Sequence, residues 1–392
     1  MTRRTTVILV LAVALMLVVM GMAAALQFST AVPKAKWTLE SVLSRPLVEA
    51  EAMKVIDLTG DGVDDIVVQG DTQVSVLDEN LNVLFEKNYL AVTTTMGDFD
   101  GDGVDDLVVI YDETGMDVIV AEALSLVGAG RSLWRVPVTG LRQPERAASA
   151  DLDGDKIREV VVGDIAGNVV CLNSDGSWRW AYQLPVPAQA TSAYVRGLDD
   201  VVSPDGVWVI AANYDGSLVM LDGSGKPVWT AEFPTSIRRV RSYDLNGDGT
   251  SEVLVGGETG RLECLDGASG TRLWAKDLGN RVVEIRAAEL DDNPAGTDIL
   301  VGMRDAGVIY GYDAQGNQVA RNAMSGRVIE FAPLDIDEDG RDEFVAGSEE
   351  GTARLFKANE PSLASLGAPG LTRLDAGGYA RALRFVMTWG RT

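Results

Sequence analysis

The chain has 392 residues, with 34 Lys and Arg against 58 Asp and Glu for a formal charge of −24, and it contains no histidine. The missing histidine removes Ser-His-Asp triads, His-ligated zinc and haem, and imidazole general bases. The acidic balance argues against nucleic acid, whose phosphates need clustered Lys and Arg. Two cysteines, Cys171 and Cys264, cannot build a disulfide framework or a four-ligand zinc site.

Residues 7–26, VILVLAVALMLVVMGMAAAL, carry no charge. As a helix rising about 1.5 Å per residue they span about 30 Å, the thickness of the bilayer's hydrocarbon core. Arg3 and Arg4 precede them and place the N-terminus in the cytoplasm, weakly opposed by Lys34 and Lys36 on the other side. The reading is one transmembrane helix, with residues 1–30 as a signal anchor. A cleaved signal peptide is the alternative, because Ala23-Ala24-Ala25 fits a small-x-small site, although the apolar run exceeds the usual ~7–15 residues. Either reading exports the rest, at the cell surface on a single-pass anchor or as a secreted protein.

From residue 50 onward one acidic string recurs. DLTGDGVDD begins at Asp57, DFDGDGVDD at Asp98, DLDGDKIRE at Asp151, DLNGDGTSE at Asp244 and DIDEDGRDE at Asp335. Degenerate copies begin at Gly197 and Glu289, which makes seven units with a period of roughly 45 residues. Each string is preceded by an alternating segment and followed by a short apolar run such as DIVVQG or EVLVGG. A Gly-led alternating run comes next, then a run often centred on Trp, at Trp134, Trp178, Trp229 and Trp274. These read as four short strands joined by Gly, Asn and Asp turns, and no amphipathic helix of useful length interrupts them.

Seven four-stranded units predict an all-β, seven-bladed β-propeller of antiparallel blades over residues 31–360. The seventh unit lacks a Trp-centred fourth strand. Lys36–Ser41 reads as an orphan fourth strand and is expected to complete that last blade. In the tail, 361–392, Arg381–Trp389 reads as a further first strand, the start of a partial eighth blade.

Positions 1, 3, 5 and 9 of each string carry oxygen-bearing side chains, and position 6 is usually Gly. A hard cation such as Ca²⁺ takes six to eight oxygens at about 2.3–2.6 Å, and a short looped backbone delivers four or five of them, with the position-7 carbonyl among them. Converging carboxylates also repel unless a cation neutralises them. The candidate ligands are Asp57, Thr59, Asp61, Val63 and Asp65 in unit one, and Asp98, Asp100, Asp102, Val104 and Asp106 in unit two. Unit three offers Asp151, Asp153, Asp155, Ile157 and Glu159. Unit five offers Asp244, Asn246, Asp248, Thr250 and Glu252, and unit seven Asp335, Asp337, Asp339, Arg341 and Glu343. Lys156 replaces Gly at position 6 of the third loop. Unit six has Glu289, Asp291, Asn293 and Asp298, with one extra residue, and unit four has no acid at position 1 and is expected to hold no metal. Ordinary Asp-Gly turns need no ion, but five copies with the same oxygen positions favour about five Ca²⁺ sites.

The strings DFDGDGVDDLVVI and DLNGDGTSEVLVGG resemble the FG-GAP or VCBS repeats of integrin-α-like propellers, over roughly residues 50–357. The resemblance implies Ca²⁺ at the junction of each blade's first two strands, in a structural role. No Phe-Gly pair occurs and the one Gly-Ala-Pro, at 367–369, lies outside the repeats, so that family's specific adhesion functions are not carried over. GRLECLDGASGTRLWAKDL also resembles quinoprotein-like propeller repeats, which implies that each Trp packs between blades. The adjacent cysteines and other motifs that hold a quinone cofactor there are absent. Cys171 and Cys264 occupy the same place in units three and five and read as small buried apolar residues.

Three functions follow from these readings. The first is an exported, membrane-tethered, calcium-binding propeller acting as a non-catalytic binding or adhesion module for a protein or glycan. The second is an envelope assembly scaffold of the quinoprotein-like type. The third is a polysaccharide-degrading enzyme working with carboxylates, since glycosidases need only two of them.

Overall fold

The structure is a computed structural model. It describes residues 36–359 apart from 49, 71, 79, 91, 116, 129, 187–192, 292–295, 325, 336–338 and 349–351, together with 8–9, 364–367 and 379–390. The strands form seven four-stranded antiparallel sheets, each built in simple up-and-down order. The chain is a seven-bladed β-propeller.

Blade 1 comprises Ala50–Ile56, Asp65–Gly70, Gln73–Leu77 and Val83–Asn88. Blade 2 comprises Thr93–Gly97, Asp106–Asp112, Ile119–Ser125 and Arg131–Pro137, and blade 3 Pro144–Ala150, Glu159–Asp164, Asn168–Leu172 and Trp178–Gln183. Blade 4 comprises Val195–Ser203, Gly206–Asn213, Ser217–Leu221 and Pro227–Glu232, and blade 5 Ile237–Tyr243, Glu252–Gly257, Arg261–Leu265 and Arg272–Asp277. Blade 6 comprises Val282–Ala288, Asp298–Met303, Val308–Tyr312 and Gln318–Ala323, and blade 7 Val328–Leu334, Glu343–Ser348, Thr352–Phe356 and Ala364–Gly367.

The burial of each strand follows from its radial position. Second strands such as Glu159–Asp164 and Glu252–Gly257 are buried along their whole length, because a neighbouring blade covers each face. That is why they read as continuous apolar runs rather than as alternation. Fourth strands such as Val83–Asn88 form the outer edge and are largely exposed. Among the described residues, side chains of successive blades meet in six apolar clusters. Val161, Val169 and Cys171 of blade 3, for example, pack with Val209, Ala211 and Val219 of blade 4.

Trp side chains bolt one blade to the next. Trp134, Trp180, Trp229 and Trp274 donate their indole N–H to the carbonyls of Ser174, Gly223, Gly267 and Ala314, each in the following blade, at 2.6, 3.2, 2.8 and 2.8 Å. Under each ring lies a turn glycine: Gly176, Gly225, Gly270 or Gly316, where a Cβ would sit 2.6–2.8 Å from the indole. In unit three the packing residue is therefore Trp180 rather than Trp178, which is 58% exposed. Cys171 and Cys264 are free and buried, each paired across the ladder with such a Trp strand.

The closure differs from the expectation. Ala364–Gly367 pairs with the third strand of blade 7 and supplies its fourth strand, so that edge is already taken. Lys36–Val48 instead pairs antiparallel with Tyr379–Gly390, in register Trp37 to Trp389. Ile8–Leu9 adds to the other side of Tyr379–Gly390. The result is a separate three-stranded sheet rather than a completed last blade or the first strand of an eighth. Its twelve-residue partner satisfies more of the Lys36–Val48 backbone than a short blade edge could. The expected transmembrane helix falls on residues that, from 10 to 35, lie outside those described. Among the described residues no helix is long and apolar enough to cross a membrane.

Candidate metal centres and the charged channel

Each acidic string is the connection between a blade's first and second strands, so all the loops lie on one face of the propeller. Backbone N–H groups and carboxylates shape them in the same way. The position-1 carboxylate accepts from the amides of positions 4 and 6: Asp57 from Gly60 and Gly62, Asp98 from Gly101 and Gly103, Asp151 from Gly154 and Lys156, and Asp244 from Gly247 and Gly249, all within 2.6–2.9 Å. The position-5 carboxylate accepts from the position-7 amide, as Asp61 does from Val63, Asp102 from Val104, Asp155 from Ile157, Asp248 from Thr250 and Asp339 from Arg341. The position-9 carboxylate opens the second strand and reaches back to the position-2 amide, as in Asp65 to Leu58, Asp106 to Phe99, Glu159 to Leu152 and Glu252 to Leu245.

Positions 4 and 6 both turn through positive φ. Lys156 does so at φ 75°, beside Gly62, Gly103, Gly249 and Gly340 at 82–86° in the other loops. The third loop therefore keeps the common turn, at a cost of about 1–2 kcal/mol for a residue with a Cβ.

Three of the four expected side chains converge in two loops. Oxygens of Asp98, Asp100 and Asp106 lie within 4.8 Å of one another, as do those of Asp151, Asp153 and Glu159. In loops one and five position 3 is Thr59 or Asn246, and Asn246 donates to Glu252 at 2.8 Å. Asp337 and Asn293 lie outside the described residues. In unit six, Asp298 accepts from Leu290, and Asp342 of the seventh loop accepts from Glu289 at 2.8 Å. Unit four has no loop: Ser203 and Gly206 close a two-residue hairpin.

The chemistry of these donors fits a hard cation. Asp106 Oδ1 and the Ser125 hydroxyl are both buried, and neither makes a hydrogen bond of normal geometry. Burial pushes the position-9 carboxyls up, Asp65, Asp106 and Glu159 to about 6 and Glu252 to about 7, with the neighbouring loop carboxylates adding to the rise. A divalent ion would reverse that pressure by favouring the ionised form. Asp57 with Asp65, Asp98 with Asp100 and Asp106, Asp151 with Asp153 and Glu159, and Asp244 with Glu252 are the groups that would hold it.

Basic side chains enter three of the loops. Arg131 pairs with Asp100 at 2.6 Å. Arg179 pairs with Asp153 at 2.8 Å and Glu159 at 3.5 Å, and Lys357 pairs with Asp339 at 2.7 Å and Glu343 at 3.0 Å. Repeat spacing did not reveal them, because they come from later strands of the same blade. The signal available was a basic residue beside the Trp run, Arg179 lying between Trp178 and Trp180.

A second charged group was also missed. The first strands line the central channel, and their side chains face one another across it. Lys54 of blade 1 feels Arg146, Asp199, Arg241 and Arg286 from blades 3 to 6. Glu284 is 2% exposed and lies 3.1 Å from Arg239, 2.8 Å from Arg241 and 3.9 Å from Arg286. Burial pushes its carboxyl up, but the three guanidiniums outweigh burial and hold it at about 2. Asp199 accepts from the Ser242 amide at 2.9 Å, and Glu330 pairs with Arg286 at 3.2 Å.

Comparison with known proteins bears on the fold. Residues 208–281 match the family model of the lambda-carrageenase beta-propeller domain. The chain is 26% identical over 152 residues to a lambda-carrageenase of a Pseudoalteromonas species, covering 34% of this chain and 15% of that one. It is 28% identical over 131 residues to the KICSTOR complex protein ITFG2 of Bos taurus, covering 29% of this chain and 24% of that one. The matches thus span a minor part of each relative. Among solved structures, BBS1N in complex with ARL6DN superposes with a TM-score of 0.57 at 13% identity, over 81% of this chain and 96% of that one. This likeness shows the fold alone. Proteins sharing the propeller thus include an enzyme and a complex subunit.

Proposed function

We propose that this chain is an exported, membrane-tethered, calcium-binding propeller that acts as a non-catalytic binding module for a protein or glycan. The observation that carries the reading is the repeated loop with its common backbone cradle at positions 4 to 7, on which the carboxylates of positions 1, 3 and 9 converge in loops two and three. Its recurrence around one face makes calcium a structural stiffener of the first-to-second strand junctions. The acids that the repeat makes stand out are absorbed by these loops, and the buried channel acids Glu284 and Glu330 are held by arginines. The match of residues 208–281 to a propeller domain of lambda-carrageenase supports a module reading.

The test is binding of the chain to a glycan array and a protein pull-down, each with millimolar calcium and with chelator. Calcium-dependent retention of a defined glycan or protein is the expected outcome. Turnover of a bound polysaccharide would reject the non-catalytic part. A polysaccharide-degrading enzyme is the second reading, favoured by the match of residues 208–281 to the carrageenase propeller domain.

A further inference from the structure

The face opposite the acidic loops carries a local cluster of arginines around the channel. First strands begin there, and those of blades 3, 4 and 5 each begin with a β-bulge: between Pro144 and Arg146, between Val195 and Gly197, and between Ile237 and Arg239. A bulge re-aims the side chains around it. Here it brings Arg146, Arg196, Arg238 and Arg239 together where the channel opens. The proximity is electrostatic as well as topological. Arg196 and Arg239 are the charges that press hardest on Arg146, and Arg238 and Arg239 those that press hardest on Arg196, after burial itself.

Most channel cations have carboxylate partners, but two of these do not. Arg238 pairs with Glu258 at 3.1 Å and Arg239 with Glu284. Among the described residues, Arg146 donates only to the carbonyl of its neighbour Glu145, at 2.7 Å. The Nε of Arg196 is buried without a hydrogen-bond partner. Among the described residues, no carboxylate lies within ion-pair distance of either. Two guanidiniums without an ion-pair partner, offset only through space by Glu145, are unexpected in a chain of charge −24, because burying like charges together is costly without a counter-ion. Beside them Tyr194 and Tyr214 stack with ring centroids 4.9 Å apart and 21° between planes, presenting an aromatic wall at the same mouth.

We propose that Arg146 and Arg196 form an oxyanion-binding site at the channel mouth, taking one carboxylate, sulfate or phosphate group of a ligand slender enough to enter, with Tyr194 and Tyr214 flanking it. A planar guanidinium fork suits such groups through paired N–H···O bonds. A recessed site of this kind admits a small anion or a projecting acidic group of a sugar, whereas the flat surface of a folded protein cannot reach it. The inference does not depend on calcium, whose candidate loops lie on the opposite face.

The experiment compares thermal unfolding of the full chain in sodium sulfate and in sodium chloride at equal ionic strength. It uses the wild type, Arg146→Ala, Arg196→Ala and, as control, Arg142→Ala, an exposed arginine near the same face. Sulfate strengthens burial in any protein, so the difference between variants is the readout. The site predicts a sulfate-specific rise of a few degrees in the wild type and Arg142→Ala that is lost in Arg146→Ala and Arg196→Ala. In chloride, Arg196→Ala should unfold no lower than wild type, since it removes repulsion. An equal sulfate response in all four proteins overturns the proposal. So does a drop for Arg196→Ala in chloride with the sulfate response intact, which would mark the residue as structural. Oligogalacturonate binding at least tenfold tighter than sulfate, and lost in the same variants, assigns the oxyanion to a glycan. Equal weak binding of both, likewise lost, assigns it to a free anion.

Discussion

Replacing Glu284 by Gln removes a charge shared by three channel arginines, of which, among the described residues, only Arg286 keeps another paired carboxylate, Glu330, at 3.2 Å. The carboxylate is 2% exposed, with Arg239 and Arg241 at 3.1 and 2.8 Å and Arg286 at 3.9 Å. Its pKa falls from 4.5 to about 2, which corresponds to roughly 3 kcal/mol in favour of the ionised folded form. Mutation data on buried pairs broken from one side give a similar figure, about 3–5 kcal/mol, because the surviving charges are left uncompensated. The expected loss is thus about 3–4 kcal/mol in guanidinium unfolding at pH 7, or on the order of 10 °C in Tm. The folded pKa lies below the unfolded one. The stabilisation is therefore complete above pH 4.5 and is lost as pH falls towards 2, where wild type and Glu284→Gln should converge. A loss under about 1 kcal/mol at pH 7, or a gap between the two proteins that does not close on acidification, would refute the argument that this network fastens the inner strands.

Three further outcomes follow from the geometry. Arg179→Met removes the cation that sits on Asp153 and Glu159, so calorimetric titration should show the third loop binding Ca²⁺ more tightly than in wild type; unchanged affinity would mean that Arg179 does not compete. The position-9 carboxyls are raised to about 6 or 7, above their unfolded values. In chelator, stability should therefore fall as pH rises from about 4 to 7, and the calcium-induced rise in Tm should grow over the same range; a pH-independent calcium effect would contradict this. Gly270→Ala would put a Cβ 2.7 Å from the Trp229 ring at a φ of +69° and should cost about 2–4 kcal/mol in denaturant unfolding, whereas Ala at the open position Gly279 should cost only the φ penalty.

The blades were legible because a 45-residue period forces the same four-strand pattern seven times, and continuous apolar runs mark the doubly covered second strands. The acidic loops were legible because a repeated oxygen spacing is one local string. What failed to show were contacts between distant segments. The pairing of Lys36–Val48 with Tyr379–Gly390 joins the two ends of the chain, and no local pattern announces that partner over a blade edge. Trp178 and Trp180 could not be told apart without knowing which one faces the next blade's Gly225 turn. The channel charges were hidden for a related reason. Arg146, Arg196, Arg241 and Glu284 look like ordinary exposed residues of alternating strands until the ring brings them face to face.

Calcium content tests the central claim most directly. The chain, freed of metal with chelator and titrated with Ca²⁺, should bind about five ions, one for each acidic loop. Loops one and five should fill before the second, third and seventh, where Arg131, Arg179 and Lys357 must first be displaced. At dissociation constants of ~10⁻⁴–10⁻³ M, millimolar calcium should add on the order of 1 kcal/mol per occupied loop. A chain that takes up less than one ion, and whose unfolding temperature is the same in calcium and in chelator, would contradict the account.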